Sequence, residues 1–117
     1  MKLLIFVLNH TEKLEDVVSA YVELGIPGAT IVDSVGLGSV LSRELPIFAA
    51  FQSLMRESRA SNKMLLSVVE DDLDEAAVVQ VLEDICGPLS RSGGGLLFTV
   101  PVGSAYGFRT DEAPPAD

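Results

Sequence analysis

The sequence predicts a single α+β domain in which the elements follow the order βαββαβ, with an antiparallel sheet and both helices on one of its faces. Two observations predict this fold. Four apolar runs have the length of strands, and two segments between them repeat apolar residues at helical spacing. The chain has 117 residues, a length that suits one hydrophobic core.

The first part of the pattern is a strand, a helix and a strand. Residues 2–9 form a continuous apolar run, which is typical of a strand covered on both faces. From Thr11 to Leu24 apolar residues recur at helical spacing after an acidic first turn, and Gly25 is expected to end this helix with a left-handed cap. Residues 29–34 are rich in β-branched side chains and predict the second strand.

The third strand is predicted over residues 63–70, and acidic residues follow it. Asp71 and Asp72 are cap candidates for the second helix. Asp72 and Glu75 also have the spacing of a capping box, in which two side chains satisfy the free N–H groups of the first turn. The sequence therefore predicts that the second helix begins within a few residues of the end of this strand.

The second helix is predicted over residues 73–85, with Gly87 just beyond its end, and the last strand over residues 96–102. Nearly every strand is apolar on both sides. The sheet face without helices is therefore expected to pack against copies of this chain, in a closed cyclic oligomer.

Residues 36–62 do not fit a compact connector, because loops of this length in small domains are uncommon and usually functional or disordered. Pro46 predicts the start of a short helix over residues 46–58 with one apolar face. A docking surface, packing under the loop and a solvated face are all open interpretations. The candidate partner-binding residues are Arg43, Ile47, Phe48, Phe51 and Arg56.

Bulk properties exclude several classes of function. A net charge of −9 argues against nucleic acid as a partner. The apolar start is too short to span a bilayer, and a lone Cys86 fits a reducing cytoplasm, so we expect a cytoplasmic protein without membrane insertion. The tail, residues 110–117, carries Pro, Ala and acids and is predicted to be disordered.

Patterns of catalytic or metal-binding residues are missing from the sequence. It contains no nucleophile elbow, Walker loop or zinc pattern. His10 is interpreted as a solvent residue near a helix start and Cys86 as a packed side chain, because neither has ligand-like spacing to another His or Cys. The sequence therefore predicts neither an enzyme nor a metal site.

Several segments, in the right order, resemble the P-II nitrogen-regulatory family. They are GIPGATIVDSVGLG at residues 25–38, VVEDDLDEAAVVQVL at 68–82, GGGLLFTVPV at 93–102 and FRT at 108–110. The resemblance covers residues 1–109 apart from the long loop. It implies a ferredoxin-like homotrimer that binds adenine nucleotide in clefts between subunits. It also implies that the loop at residues 36–62 is an effector loop that grips or releases target proteins, a membrane transporter being one such target.

The resemblance also implies a set of nucleotide-binding residues. Thr30 stands where the family places a hydroxyl facing the adenine. Glycines allow positive φ and can offer backbone N–H groups to phosphate oxygens, and arginines add charge. Without the resemblance, the three consecutive glycines indicate only a flexible turn. The implied set is Thr30, Gly36, Gly38, Arg91, Gly93, Gly94, Gly95 and Arg109.

The chain departs from the family pattern at several positions. Val40 replaces the glutamine that takes part in binding magnesium and 2-oxoglutarate, so that response is in doubt. Leu96 and Gly107 stand where a lysine and an arginine are usual, which predicts weaker affinity for a triphosphate. The long loop contains no tyrosine, which excludes uridylylation there; Tyr21 and Tyr106 are expected to lie on regular elements.

Three hypotheses follow. The leading one is a non-enzymatic regulator that binds an adenine nucleotide as its ligand, needs no cofactor and controls a target protein through its loop. The second is a trimeric binding protein for metal ions or a small anion, similar to the divalent-cation tolerance family. The third is an acylphosphatase-like enzyme, which needs an arginine and an asparagine placed near a phosphate-binding loop.

Overall fold

The computed structural model describes residues 1–36, 62–90 and 93–107. The predicted element order is confirmed, and one short turn of 3-10 helix, Thr11–Lys13, precedes the first α-helix. The elements are β1 (Lys2–Leu8), α1 (Leu14–Glu23), β2 (Thr30–Ser34), β3 (Asn62–Val69), α2 (Glu75–Cys86) and β4 (Leu96–Pro101).

The four strands form one antiparallel sheet in the order β2-β3-β1-β4. The central strand β1 pairs with β3 on one side and with β4 on the other, so that Phe6 lies opposite both Leu65 and Leu97. On the far edge, Thr30 of β2 pairs with Leu66 of β3. This is the ferredoxin-like arrangement that the order of elements predicts.

The two faces of the sheet differ in what covers them, because successive side chains of a strand point to opposite faces. On the helix-covered face, alternate residues of β1 and β3 pack against both helices. This core contains Leu4, Phe6, Leu8, Leu65, Val69, Val17, Tyr21, Val78 and Leu82, together with Ile26 from the turn after α1. The open face presents exposed apolar side chains, among them Val32, Leu96, Phe98 and Val100.

Helix α1 ends as predicted but begins later than predicted. Gly25 has φ +77°, its N–H donates to the Val22 carbonyl, and the Ile26 N–H donates to the Tyr21 carbonyl. These two bonds make a Schellman motif, closed by the buried side chain of Ile26. At the other end the expected start at Thr11 is a 3-10 turn, where the Lys13 N–H donates to the carbonyl three residues back.

Helix α2 is capped by a different residue from those predicted. It begins at Glu75, and the Asp74 carboxylate accepts a hydrogen bond from the Ala77 N–H at 3.1 Å. Asp71 and Asp72 are therefore not its caps. The Leu73 N–H donates to the Glu70 carbonyl, so a turn uses these residues before the helix can start. The helix ends at Cys86, one residue later than predicted, and Gly87 lies just beyond its end, as expected, with φ +86°.

Strand boundaries differ from the predicted ones by one residue at five positions. β1 ends at Leu8, β2 begins at Thr30, β3 runs from Asn62 to Val69, and β4 ends at Pro101. Tyr106 is a larger difference. Tyr21 lies on α1, but Tyr106 follows the end of β4 in a bend and is 96% exposed, so the expectation that it lies on a regular element is wrong.

Candidate functional site

A pocket opens beside the start of β2, where the segment after β4 returns toward the edge of the sheet. Its volume is 360 Å³, in the range of small-ligand sites. Three chain segments meet there: the turn into β2, the open face of β3, and the residues that follow β4. The lining residues are Pro27, Gly28, Ala29, Thr30, Leu66, Val68, Ala105, Tyr106 and Gly107.

The side chains that line this pocket are mostly apolar, although about half of its exposed lining is polar. Leu66 and Val68 form its floor, and Thr30 and Tyr106 supply its side-chain hydroxyls. None of the described residues that line it carries a charge. Burying a phosphate or a carboxylate there would leave the anion without a partner from this lining. The pocket is therefore suited to an uncharged group with flat apolar faces and a polar edge.

The three consecutive glycines lie at the start of β4 and have different roles in packing. Gly93 and Gly95 have φ of +88° and +119°, values that favour glycine. A Cβ on Gly94 would lie 2.3 Å from the Pro88 carbonyl oxygen, and one on Gly95 would lie 2.8 Å from the Val7 carbonyl oxygen. Gly94 and Gly95 are therefore required by packing, whereas Gly93 is exposed with open space around it.

The chain segment between α2 and the three glycines is held by a contact that the sequence did not predict. The Glu83 carboxylate, on the last turns of α2, accepts a hydrogen bond from the Leu89 N–H at 2.9 Å. This bond holds the chain just after α2, next to the Pro88 carbonyl on which Gly94 packs. No local sequence pattern marks this contact, because it joins a helix side chain to a backbone N–H six residues later.

Two polar cross-strand pairs hold the base of the long loop. The Lys63 ammonium lies 2.5 Å from the Asp33 carboxylate, and the Ser34 hydroxyl donates to the Asn62 side-chain oxygen. Each pair joins residues that are direct neighbours in the β2–β3 register. Lys63 is thus engaged within the sheet, and Gly36, half-buried, follows directly from this base.

The structure does not bring Thr30 and the glycines together within one chain. Thr30 is on the edge strand β2, and Gly93–Gly95 leads into the opposite edge strand β4. Three steps between neighbouring strands separate them, roughly 14 Å across the sheet. They are also offset along the strand direction, because Thr30 is level with Phe98 in the middle of β4, whereas Gly95 precedes the first residue of that strand.

Metal-binding and nucleophilic groups do not form a second site in the described part of the chain. No group of three His, Cys, Asp or Glu side chains capable of holding a metal lies within residues 1–36, 62–90 and 93–107. His10 Nδ1 lies 3.6 Å from a Glu12 carboxylate oxygen, at the start of the helical segment. Burial raises the pKa of the Cys86 thiol, which makes it a weaker nucleophile.

Several predicted residues lie outside the described part of the chain. Among the nucleotide-binding candidates these are Gly38, Arg91 and Arg109. The short helix over residues 46–58 and the tail at 110–117 also lie there. So do all the partner-binding candidates, Arg43, Ile47, Phe48, Phe51 and Arg56. For all of these the sequence-based predictions stand as predictions.

Comparison with known proteins identifies the family. The family model described as "Nitrogen regulatory protein P-II" matches residues 1–112. The chain belongs to the P-II family. A relative, the nitrogen fixation nifHD region GlnB-like protein 1 of Methanothermobacter marburgensis, is 32% identical over 101 residues, which are 86% of this chain and 88% of that relative. The family assignment makes this chain a regulatory protein, as its order of motifs predicted.

Of the residues that line the pocket, sequence reasoning predicted only Thr30 as a site residue, and Tyr106 is the polar side chain that it missed. The prediction found Thr30 because the resemblance marked that position, but no local pattern marks a tyrosine that follows a strand by several residues. Its place beside Thr30 depends on the path of the chain after Pro101, where the Val102 N–H donates to the Met1 carbonyl at 3.2 Å.

In the described residues, no helix is both long and apolar enough to cross a bilayer.

Proposed function

We propose that this P-II family member is a non-enzymatic, cytoplasmic regulator. It binds an adenine nucleotide in the clefts between the subunits of a homotrimer. The bound nucleotide shifts the loop at residues 36–62 between states that bind or release a target protein, of which a membrane transporter is one class. For such a switch, the nucleotide must favour one loop state by a few kcal/mol.

The observation that carries this proposal is the separation of Thr30 from Gly93–Gly95. A ligand whose base contacts one of them and whose phosphates contact the other cannot be bound by a single copy, because they lie on opposite edges of the sheet. Two copies placed side by side could join the pocket of one to the glycine turn of the next. The exposed apolar open face supplies the reason for such an assembly.

The charge distribution supports a nucleotide with few phosphates. The pocket has no charged lining among the described residues, and Leu96, directly after the glycines, is exposed and apolar. Phosphates would therefore depend on backbone N–H groups and on the two arginines of the sequence prediction, Arg91 and Arg109. The net charge of −9 opposes nucleic acid as a partner.

The first test is calorimetry of the intact protein with ATP, ADP, AMP and cyclic dinucleotides. Light scattering reports the number of subunits in the same samples. We expect a trimer that binds at least one adenine nucleotide, and Thr30→Val to weaken that binding by about tenfold because a hydrogen-bonding hydroxyl is lost. Thr99→Val, on β4 and on the other face of the sheet, is the matched control. Absence of binding at millimolar concentrations, with the trimer intact, would refute the proposal.

A mixing experiment tests whether the site is shared between subunits. Gly93→Asp introduces a negative charge where Gly93 has open space, in a backbone conformation that Asp tolerates better than most residues. Trimers reassembled from equal amounts of Gly93→Asp and Thr30→Val chains should regain about one intact cleft in four, because each cleft takes one contribution from each neighbour. If each site lies within one chain, mixing restores nothing.

A further inference from the structure

The tyrosine at the mouth of the pocket is unusual for its exposure. Tyr106 is 96% exposed, whereas Tyr21 is 3% exposed in the core. The chain has few aromatic residues, five Phe and two Tyr, with no Trp. An exposed tyrosine ring gains by stacking on another flat ring, because both lose apolar surface to water. In the single chain, Tyr106 therefore has an unused stacking surface beside a pocket whose side chains are mostly apolar.

The position of the ring follows from the path of the chain after β4. The residues that flank it, Ala105 and Gly107, both line the pocket together with Thr30. Gly107 has φ +84°, a left-handed conformation that turns the backbone directly after the tyrosine. Tyr106 thus lies on a bend that lines the pocket together with Pro27 and Gly28, and a planar ligand in the pocket would come within reach of its ring.

The lining specifies the kind of ring that fits. Leu66 and Val68 offer an apolar surface, and Thr30 offers one hydroxyl at the edge. A nucleobase has this combination of apolar faces and hydrogen-bonding edges. A purine, with two fused rings, offers more stacking area than a pyrimidine to the same tyrosine.

We propose that Tyr106 stacks on the base of the bound nucleotide and gives this site its preference for purines over pyrimidines. The proposal rests on the proposed nucleotide-binding function and adds to it a residue and a selection rule. Tyr106 acts here through its ring. Its hydroxyl is secondary, since a base stacks on the face of the ring and not on its edge.

The test is calorimetric titration of the trimer with ADP and with CDP, for the wild-type chain, Tyr106→Ala and Tyr106→Phe. Tyr106→Ala should weaken ADP binding by about tenfold and reduce the preference for ADP over CDP, as expected when one stacking ring is removed. Tyr106→Phe keeps the ring and should bind within about twofold of the wild type. Val22→Ala, on the exposed face of α1, is a control for an unrelated loss of surface apolar area.

A second readout reports stacking directly. Because the chain has no Trp and Tyr21 is buried, ligand-dependent quenching of its tyrosine fluorescence should come from Tyr106 and vanish in Tyr106→Phe. Unchanged ADP binding by Tyr106→Ala, or an equal loss in Tyr106→Phe, overturns the stacking proposal while nucleotide binding itself stands. If the wild-type trimer binds neither nucleotide, the proposed function fails and this inference fails with it.

Discussion

Both faces of the sheet present apolar side chains, but different surfaces cover them. Phe6 and Phe98 illustrate the difference, because they lie on adjacent strands and point to opposite faces. Phe6 is fully buried under the helices of its own chain, whereas Phe98 remains 40% exposed on the open face. The apolar content of a strand therefore does not show which of its side chains are buried within the single chain. One face completes the fold, and the other is available for assembly.

The largest expected effect is on the helix-covered face. Phe6→Ala should lower the free energy of unfolding by about 3–5 kcal/mol, since the lost ring leaves a cavity between β1 and the helices. This is a large fraction of the stability of a domain of this size. Urea unfolding measures it, and the loss should not depend on protein concentration, because the contacts of Phe6 are made within one chain.

A milder variant keeps this comparison testable if Phe6→Ala does not fold. Phe6→Leu retains most of the side-chain volume and should lose only about 1 kcal/mol. A loss for either variant that disappears at high protein concentration would contradict the assignment of this face to the core of the single chain.

The second prediction concerns the open face. Phe98→Ala should leave the secondary structure of the chain unchanged and weaken the trimer by about 1 kcal/mol for each subunit, because a partly buried ring is removed from the expected subunit contact. Light scattering over a range of protein concentrations should detect dissociation of the variant where the wild type remains assembled. Equal dissociation of both, with a stability loss independent of concentration, would place Phe98 outside the subunit contact.

The order of elements was predictable because each signal is local. The apolar runs, the helical repeats and the left-handed cap at Gly25 are all contained in short windows of sequence, and the structure confirms them. The start of α2 was not predicted correctly. Three aspartates stand close together there, and the turn between Glu70 and Leu73 decides which of them becomes the cap.

The site was less predictable, because it depends on contacts between distant segments. Sequence reasoning reached Thr30 through a family resemblance, but it could not place Tyr106 beside it. Nor could it separate Gly93 from Gly94, since the difference is made by the Pro88 carbonyl packed on one of them and not on the other. Such packing follows from the folded backbone and has no counterpart in the spacing of residues.

The smallest expected effect concerns a polar atom on the covered face. Within the described residues, the Tyr21 hydroxyl is buried without a hydrogen-bond partner. Tyr21→Phe removes this group and keeps the ring, so it should raise the free energy of unfolding by about 1 kcal/mol near neutral pH. Tyr106→Phe makes the same chemical change at an exposed position and should leave the stability unchanged. Urea unfolding of the two variants beside the wild type measures the difference.

The stability difference between Tyr21→Phe and the wild type should also depend on pH. Burial raises the pKa of Tyr21 above its ordinary value of 10.0. As pH rises above about 10, the unfolded chain releases a proton that the folded chain retains, and the stability of the wild type falls. The Phe variant lacks this contribution, so the gap between Tyr21→Phe and wild type should widen above that pH and stay constant below it. A gap that does not change through alkaline pH would mean that the hydroxyl is hydrated in the folded protein, and that this part of the covered face is open to water.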